Sequence, residues 1–277
     1  MKNEKHSKSF TSGTAILMRQ QIQLLTIFTA MTKYGHDSVV PFEDSGLGKK
    51  EQVGLMFDKI AFRYDFLNKL LSGGMDRHWR NLAIREVLEV NPSKILDIAT
   101  GTAEMIISMA QRLPTTEITG IDISEGMLAI ARKKVQSLKN FDRIHLESGD
   151  SEALHFADGH FDAITVAFGV RNFENLEKGL KEMLRVLRTG GKLVILEFSQ
   201  PGNSRFRMLC KFYISRIAPF LVQLFSKKKA YEYLDKSIQA FPEGNNFLQI
   251  MNNQGFSATY QKPLSFGICS IYCGYKP

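Results

Sequence analysis

The sequence predicts an α/β chain: a mostly parallel, seven-stranded sheet with helices on both faces and an N-terminal helical cap. Three observations carry that prediction. From Lys94 onward, short apolar runs alternate with amphipathic helical stretches, the texture of parallel strands joined by crossover helices. Ahead of them, residues 53–90 place apolar side chains at three- and four-residue steps, the period of helices. At the far end, two more strand-like segments close the chain.

The first 50 residues read as an N-terminal extension, flexible in its later part. Residues 15–31 are apolar in flavour, but Arg19, Gln20, Gln21 and Gln23 interrupt them, and a signal peptide needs an unbroken apolar core. Residues 1–30 are expected to be dispensable, with Met31 as the native start; an intact peptide from Lys2 to Ala30 in the native protein would contradict this. Residues 37–50 are polar and carry Gly46 and Gly48, a lead-in. The catalytic domain then spans 51–277, divided into a cap at 51–92 and a core at 93–277. In the cap, Phe57, Ile60, Ala61, Tyr64, Leu67 and Leu71 mark one helix, and Gly73-Gly74 breaks it. A second helix holds Trp79, Leu82, Ala83, Val87 and Leu88 and stops before Pro92. In the core, strands are expected at 94–99, 117–122, 143–148, 160–168 and 191–198, with helices at 103–112, 125–139 and 174–187. A basic helical segment follows at 204–228, and strands at 255–260 and 266–275 finish the sheet.

Hydrophobic residues are 44% and charged residues 23% of the 277, ordinary for a globular domain with a sizeable core. A net charge of +8 fits an anionic partner, membrane or nucleic acid, and equally a basic soluble enzyme. Three cysteines, Cys210, Cys269 and Cys273, do not make a disulfide framework, which points to a reducing cytoplasm. Cys269 and Cys273 share one face of a strand without an accompanying histidine pair, so no metal site is expected. No apolar run is long enough to span a bilayer.

The chemistry starts where the first strand ends. Ile95 to Ala99 runs into Thr100-Gly101-Thr102-Ala103-Glu104, a tight turn of small residues that lets the backbone approach a ligand at a helix start. The second strand ends on Asp122, 25 positions after Asp97, where a carboxylate can accept from two ribose hydroxyls. After the third strand, Gly149-Asp150-Ser151 can meet an adenine amino group. The turn has one glycine, Gly101, and not the three of a dinucleotide fingerprint, and no P-loop follows a strand. Acids at three strand ends suit a ligand with positive charge and no phosphate. S-adenosylmethionine is such a ligand, with its sulfonium, ammonium, ribose and adenine. Other roles stay open: Asp97 fixing the turn, Asp122 capping the helix near Ser124, and Glu104 answering a helix dipole.

The stretch 165–173, TVAFGVRNF, follows the fourth strand, where open α/β sheets bind their ligands. Arg171 and Asn172 beside phenylalanines suit an oily ring bearing one or two polar oxygens.

Several longer pieces, MFDKIAFRYDFLNKLLSGG, LDIATGTA, GIDISEGML, FDAITVAFGVRNFENLEKGLKEMLRVLRTGGKLVILEFSQP and AYEYLDKSIQAFP, give the chain from about Lys49 onward a recognisable pattern. It resembles the UbiE/MenG family of quinone-biosynthesis C-methyltransferases, within the Rossmann-like class I methyltransferase fold. The resemblance implies S-adenosylmethionine as methyl donor and a prenylated quinol as acceptor, usually demethylmenaquinol and in some members a ubiquinol precursor. By motif, Thr102 matches the cofactor-binding threonine, Asp122 the ribose-binding acid, and Asp150 with Ser151 the pair near adenine. The family's usual G-T-G-D turn reads Gly101-Thr102-Ala103-Glu104 here, and its P-G-G reads Thr189-Gly190-Gly191. Many members carry a histidine where this chain has Asp76, which leaves His78 without a matched role.

Carbon methylation of a quinol needs a ring made electron-rich by loss of a hydroxyl proton. Arg171 is expected to hold the resulting oxyanion and not to act as base, because a guanidinium stays protonated. Asn172 is expected to orient the second oxygen, with water as base assisted by Tyr64 or Asp65. Phe57, Tyr64, Phe168 and Phe173 are expected around the ring, and Phe62 in core packing. Residues 204–231, basic and apolar in alternation, are expected either to lie on anionic lipid at the inner face of the cell membrane or to cover the sheet. No RNA-binding module is visible, so no nucleic-acid partner is expected. A homodimer, another phenolic acceptor and a non-catalytic binding protein on the same fold stay open.

Overall fold

A computed structural model describes residues 34–139, 141–201 and 228–277. The expectations for residues 1–30 and Met31, for Cys210, and for the basic segment up to residue 227 lie outside the described residues.

The core is one seven-stranded sheet in the order β3-β2-β1-β4-β5-β7-β6. Its strands are β1 (Lys94–Ile98), β2 (Glu117–Asp122), β3 (Ile144–Ser148), β4 (Phe161–Ala167), β5 (Leu187–Phe198), β6 (Ser257–Leu264) and β7 (Cys269–Tyr275). β1 to β5 are mutually parallel, and β7 runs antiparallel to both β5 and β6. β1 shows why the central strands read as unbroken apolar runs: Ile95 packs into the layer on one face, Leu96 and Ile98 into the layer on the other, and all three are buried.

The helices are α1 (Lys49–Leu71), α2 (Asp76–Leu88), α3 (Glu104–Ala110), α4 (Glu125–Gln136), α5 (Leu176–Val186), α6 (Lys228–Ala240) and α7 (Asn245–Asn253). Trp79, Ile84, Met109 and Ala131 bring α2, α3 and α4 into the core layer that holds Ile95. Leu180, Met183, Phe247 and Met251 bring α5 and α7 into the layer that holds Leu96. On α5, Leu176, Leu180, Met183 and Val186 form one buried stripe at helical spacing.

The strand order reverses between β1 and β4, and ligands of open α/β sheets bind outside the strand C-termini at that switch point. The cap helix α1 crosses there and packs against α4. The approach is close: a Cβ at Gly126 would lie 2.9 Å from Asp58 Oδ1, so glycine is needed where α4 begins.

Several elements differ from the sequence expectation. β5 starts at Leu187, ahead of Thr189-Gly190-Gly191, because the β4–β5 register shifts between Phe161 and Ala163 and the glycines are absorbed within the strand. α6 and α7 have no counterpart in the expectation. α6 buries Tyr233 and Ser237, and the serine breaks the apolar period. α7 is short and asparagine-rich, a composition of modest helix propensity. Phe62, expected in core packing, is 93% exposed on α1. His78 is exposed on α2. No helix among the described residues is long and apolar enough to cross a membrane.

Candidate active site

The turn after β1 is held from beneath. Asp97 is buried and accepts from Thr100 Oγ1 at 2.6 Å and Thr165 Oγ1 at 2.5 Å, tying β1, its turn and β4 together. Burial pushes its pKa up to about 6 against those two donors. It lines neither of the two cavities described below, so its place is that of a turn-fixing residue. Gly101 and Ala103 both take left-handed backbone angles, φ of 56° and 66°. Thr102 between them is buried and donates to Asp65 Oδ1 at 2.5 Å. The structure therefore sets Thr102 against the cap and outside both cavities, and Asp65, also paired with Lys134 at 2.5 Å, goes with it.

Asp122 does face the cavity. Its Oδ2 accepts from Gly101 N and its Oδ1 from Ser124 N, each at 2.8 Å. Burial raises its pKa to about 6, opposed by these backbone donors. The capping of α4 falls to other groups. Ser124 Oγ accepts from Met127 N at 3.2 Å, and Asp58 of α1 accepts from Ser124 Oγ at 2.6 Å and Gly126 N at 2.9 Å. Asp150 pairs with Lys50 of α1 at 2.7 Å and accepts from Glu152 N at 2.9 Å; Ser151 lies beside it.

Asp122, Lys50, Asp150 and Ser151 line a cavity of about 660 Å³ with Gly101, Phe57, Tyr64, Met127, Phe168, Asn172 and Phe173. Among the described residues its carboxylates are Asp122, Asp150, Glu152 and Glu174, and its one cation, Lys50, is paired to two of them. An acid-rich cleft over left-handed backbone fits S-adenosylmethionine, a cationic nucleoside without phosphate.

A second cavity, of about 830 Å³, opens between α1, α2, α6 and the end of β5. Met56, Ile60, Leu67, Leu71, Phe198 and Leu234 make it largely apolar. Phe57, Tyr64 and Phe168 belong to both cavities and form their common wall. Phe168 is held at φ 59°, an uncommon angle for a bulky residue, while its N–H donates to Leu196 O at 2.7 Å. A Cβ on the next residue, Gly169, would meet Ala99 Cβ at 2.6 Å, so the turn after β4 requires glycine there.

Arg171 and Asn172 sit on either side of that wall: Asn172 lines the first cavity and Arg171 the second. Arg171 Nη1 donates to Glu197 Oε1 and Phe168 O, each at 2.6 Å. Its Nε is buried and has no hydrogen-bond partner among the described residues. Asn172 Oδ1 accepts from Tyr233 Oη at 3.1 Å. Asp76 and Arg80 of α2 form an ion pair in the second cavity, with Ser72 Oγ donating to Asp76 at 2.9 Å. Lys50, Tyr233, Asp76 and Arg80 were not singled out as site residues from sequence. For Asp76 and Arg80 a signal existed, an acid and a base four apart on one helix face.

The ubiE/COQ5 methyltransferase family model matches residues 46–276. The chain belongs to this family. Demethylmenaquinone methyltransferase of Bacteroides fragilis is 43% identical over 244 residues, covering 88% of this chain and 99% of that one. The ubiquinone/menaquinone biosynthesis C-methyltransferase UbiE of Geobacter sulfurreducens is 43% identical over 229 residues, covering 82% and 90%. Demethylmenaquinone methyltransferase of Thermus thermophilus is 44% identical over 223 residues, covering 80% and 100%. Among solved structures, the [4+2]-cyclase SpnF aligns with a TM-score of 0.62 at 16% identity, covering 82% of this chain and 96% of that one. A SAM-dependent methyltransferase of Thermotoga maritima aligns at 0.56 and 21%, covering 80% and 99%. At those identities the structural likeness establishes the class I methyltransferase fold, and a cyclase among the matches shows that fold alone does not fix the reaction. Membership of the ubiE/COQ5 family does: the chain is an S-adenosylmethionine-dependent methyltransferase.

Proposed function

We propose that this chain methylates a ring carbon of a prenylated quinol, demethylmenaquinol before others, with S-adenosylmethionine bound in the 660 Å³ cavity. The observation that carries the proposal is the common wall. Phe57, Tyr64 and Phe168 separate an acid-rich cleft from an apolar one, and the VRN turn places one polar side chain on each side. When bound, S-adenosylmethionine supplies an electrophilic methyl group.

The chain's own residues do the rest. Asp122 would accept from the ribose hydroxyls, with Gly101 shaping the backbone beneath them, and Asp150 with Ser151 would meet the adenine. Tyr64 and Phe168 orient the acceptor ring against the opening between the cavities. Arg171, which lines the apolar cavity with its guanidinium anchored on Glu197, would hold the developing oxyanion. The apolar lining excludes water from the charge so formed. Asn172, fixed by Tyr233, orients the polar edge between the two ligands.

The names of the relatives favour demethylmenaquinol and keep a benzoquinol precursor of ubiquinone as the second reading. Because a prenylated acceptor resides in lipid, the proposal includes transient contact with an anionic membrane surface and leaves a homodimer open. Product fragmentation by mass spectrometry tests the reaction type: the added methyl is expected on a ring carbon, and a methyl on oxygen would contradict the proposal.

A further inference from the structure

The acceptor cavity contains a single carboxylate in its described lining, Asp76. Glu197, which pairs with Arg171, is fully buried and lines neither cavity. The other polar lining residues are Tyr64, Asn68, Ser72, Arg80, Arg171 and Tyr233, and every one of these side chains carries a donor. The cavity is therefore rich in donors and has one group that can only accept.

Asp76 is held in place by its own helix and the turn before it. Its Oδ1 accepts from Ser72 Oγ at 2.9 Å and its Oδ2 from Arg80 Nη1. The Arg77 backbone N–H also donates to this carboxylate, so of its roughly four lone-pair directions about one remains for a ligand. Burial acts to raise its pKa, but the Arg80 guanidinium and the Ser72 hydroxyl outweigh burial and hold it below the usual carboxylate range. It is thus an acceptor without a proton at neutral pH. Arg80 in turn lies 5.6 Å from the centre of the Phe168 ring, the wall shared with the methyl-donor cleft. Asp76 is thus tied through Arg80 to that wall and lines the same cavity as Phe168.

We propose that Asp76 reads the oxidation state of the acceptor: it takes a hydrogen bond from a ring hydroxyl of the quinol and turns away the carbonyl oxygen of the quinone. This rests on the quinol reading above. A quinone offers lone pairs only, so its carbonyl would face the partly buried Asp76 carboxylate with no proton between them and leave the carboxylate's free lone pair without a donor. A site built to pair with a hydroxyl rejects an analogue lacking it far more strongly than an apolar slot does. The discrimination is useful because the oxidised ring is too electron-poor to be methylated and would occupy the cavity unproductively.

The test is a binding measurement on the full chain, without oxygen, using 1,4-naphthohydroquinone and 1,4-naphthoquinone with S-adenosylhomocysteine present to prevent turnover. Wild type is expected to bind the hydroquinone at least roughly tenfold more tightly than the quinone. Asp76→Asn, whose amide both donates and accepts, is expected to bring the two within about twofold while S-adenosylhomocysteine affinity is unchanged. Equal affinities in wild type, or an undiminished preference in Asp76→Asn, would overturn the assignment. If wild type binds neither ring, the quinol reading fails and this inference with it. If Asp76→Asn loses S-adenosylhomocysteine binding, Asp76→Ser is scored by the same ratio.

Discussion

Arg171 and Glu197 form a buried ion pair, Nη1 to Oε1 at 2.6 Å, at the edge of the acceptor cavity. The pair fixes the guanidinium while leaving its Nε–H without a partner among the described residues. Arg171→Ala is expected to cut turnover at least roughly a hundredfold, the scale of losing one oxyanion donor, while S-adenosylmethionine affinity stays within about twofold. It will also lower stability by about 3–5 kcal/mol, because Glu197 is left buried and uncompensated. Calorimetric titration with the cofactor separates the two effects, and unchanged turnover would remove Arg171 from the site.

The cofactor cleft should titrate through Asp122. Burial raises its folded pKa to about 6, above that of an unfolded aspartate. For an acid shifted upward, the stabilising contribution is complete below the unfolded value and is lost as pH rises through the folded one. Asp122 and Asp97 should therefore both erode the stability of the ligand-free protein between about pH 4 and 6. Ligand binding has the opposite slope, since the ionised carboxylate is the form that accepts from two ribose hydroxyls. Affinity for S-adenosylhomocysteine is expected to fall as pH drops below about 6, and Asp122→Asn should flatten that slope as well as weaken binding.

Asp58 is a cap supplied by a neighbouring helix. Its carboxylate accepts from Ser124 Oγ and Gly126 N at the start of α4. Asp58→Ala should cost about 1 kcal/mol, as lost caps do, and lower Tm by roughly 2–4 °C. A melt indistinguishable from wild type would mean that α1 does not close on α4 in this way.

Ala103 carries a left-handed backbone angle, φ 66°, where an L-residue pays about 1–2 kcal/mol. Ala103→Gly removes that strain but adds roughly 0.4–1 kcal/mol of unfolded-chain entropy. A net gain of about 0.5 kcal/mol is expected, read as a small rise in Tm.

Much of this site was legible in the sequence because strand ends are. β1 to β4, and the acids that follow them, are set by apolar runs whose length and spacing leave little freedom, so Asp122 and Asp150 arrive where expected. Thr102 shows what spacing cannot give. Flanked by residues at φ 56° and 66°, it points its hydroxyl to Asp65 and away from the cleft, and nothing in the motif encodes that direction. Tyr233, Asp76 and Arg80 were missed for another reason. Tyr233 on α6 lies far along the chain from Asp76 and Arg80 on α2, and it joins that pair only when α2 and α6 close on the end of the sheet.

The measurement that bears most directly on the central claim is methyl transfer from labelled S-adenosylmethionine to three acceptors in parallel: reduced demethylmenaquinone, a demethylated ubiquinol precursor and bulk RNA. The account predicts label in the quinol products, demethylmenaquinol foremost, none in RNA, and none when the quinone is left oxidised. Label in RNA, or none in either quinol, would contradict it.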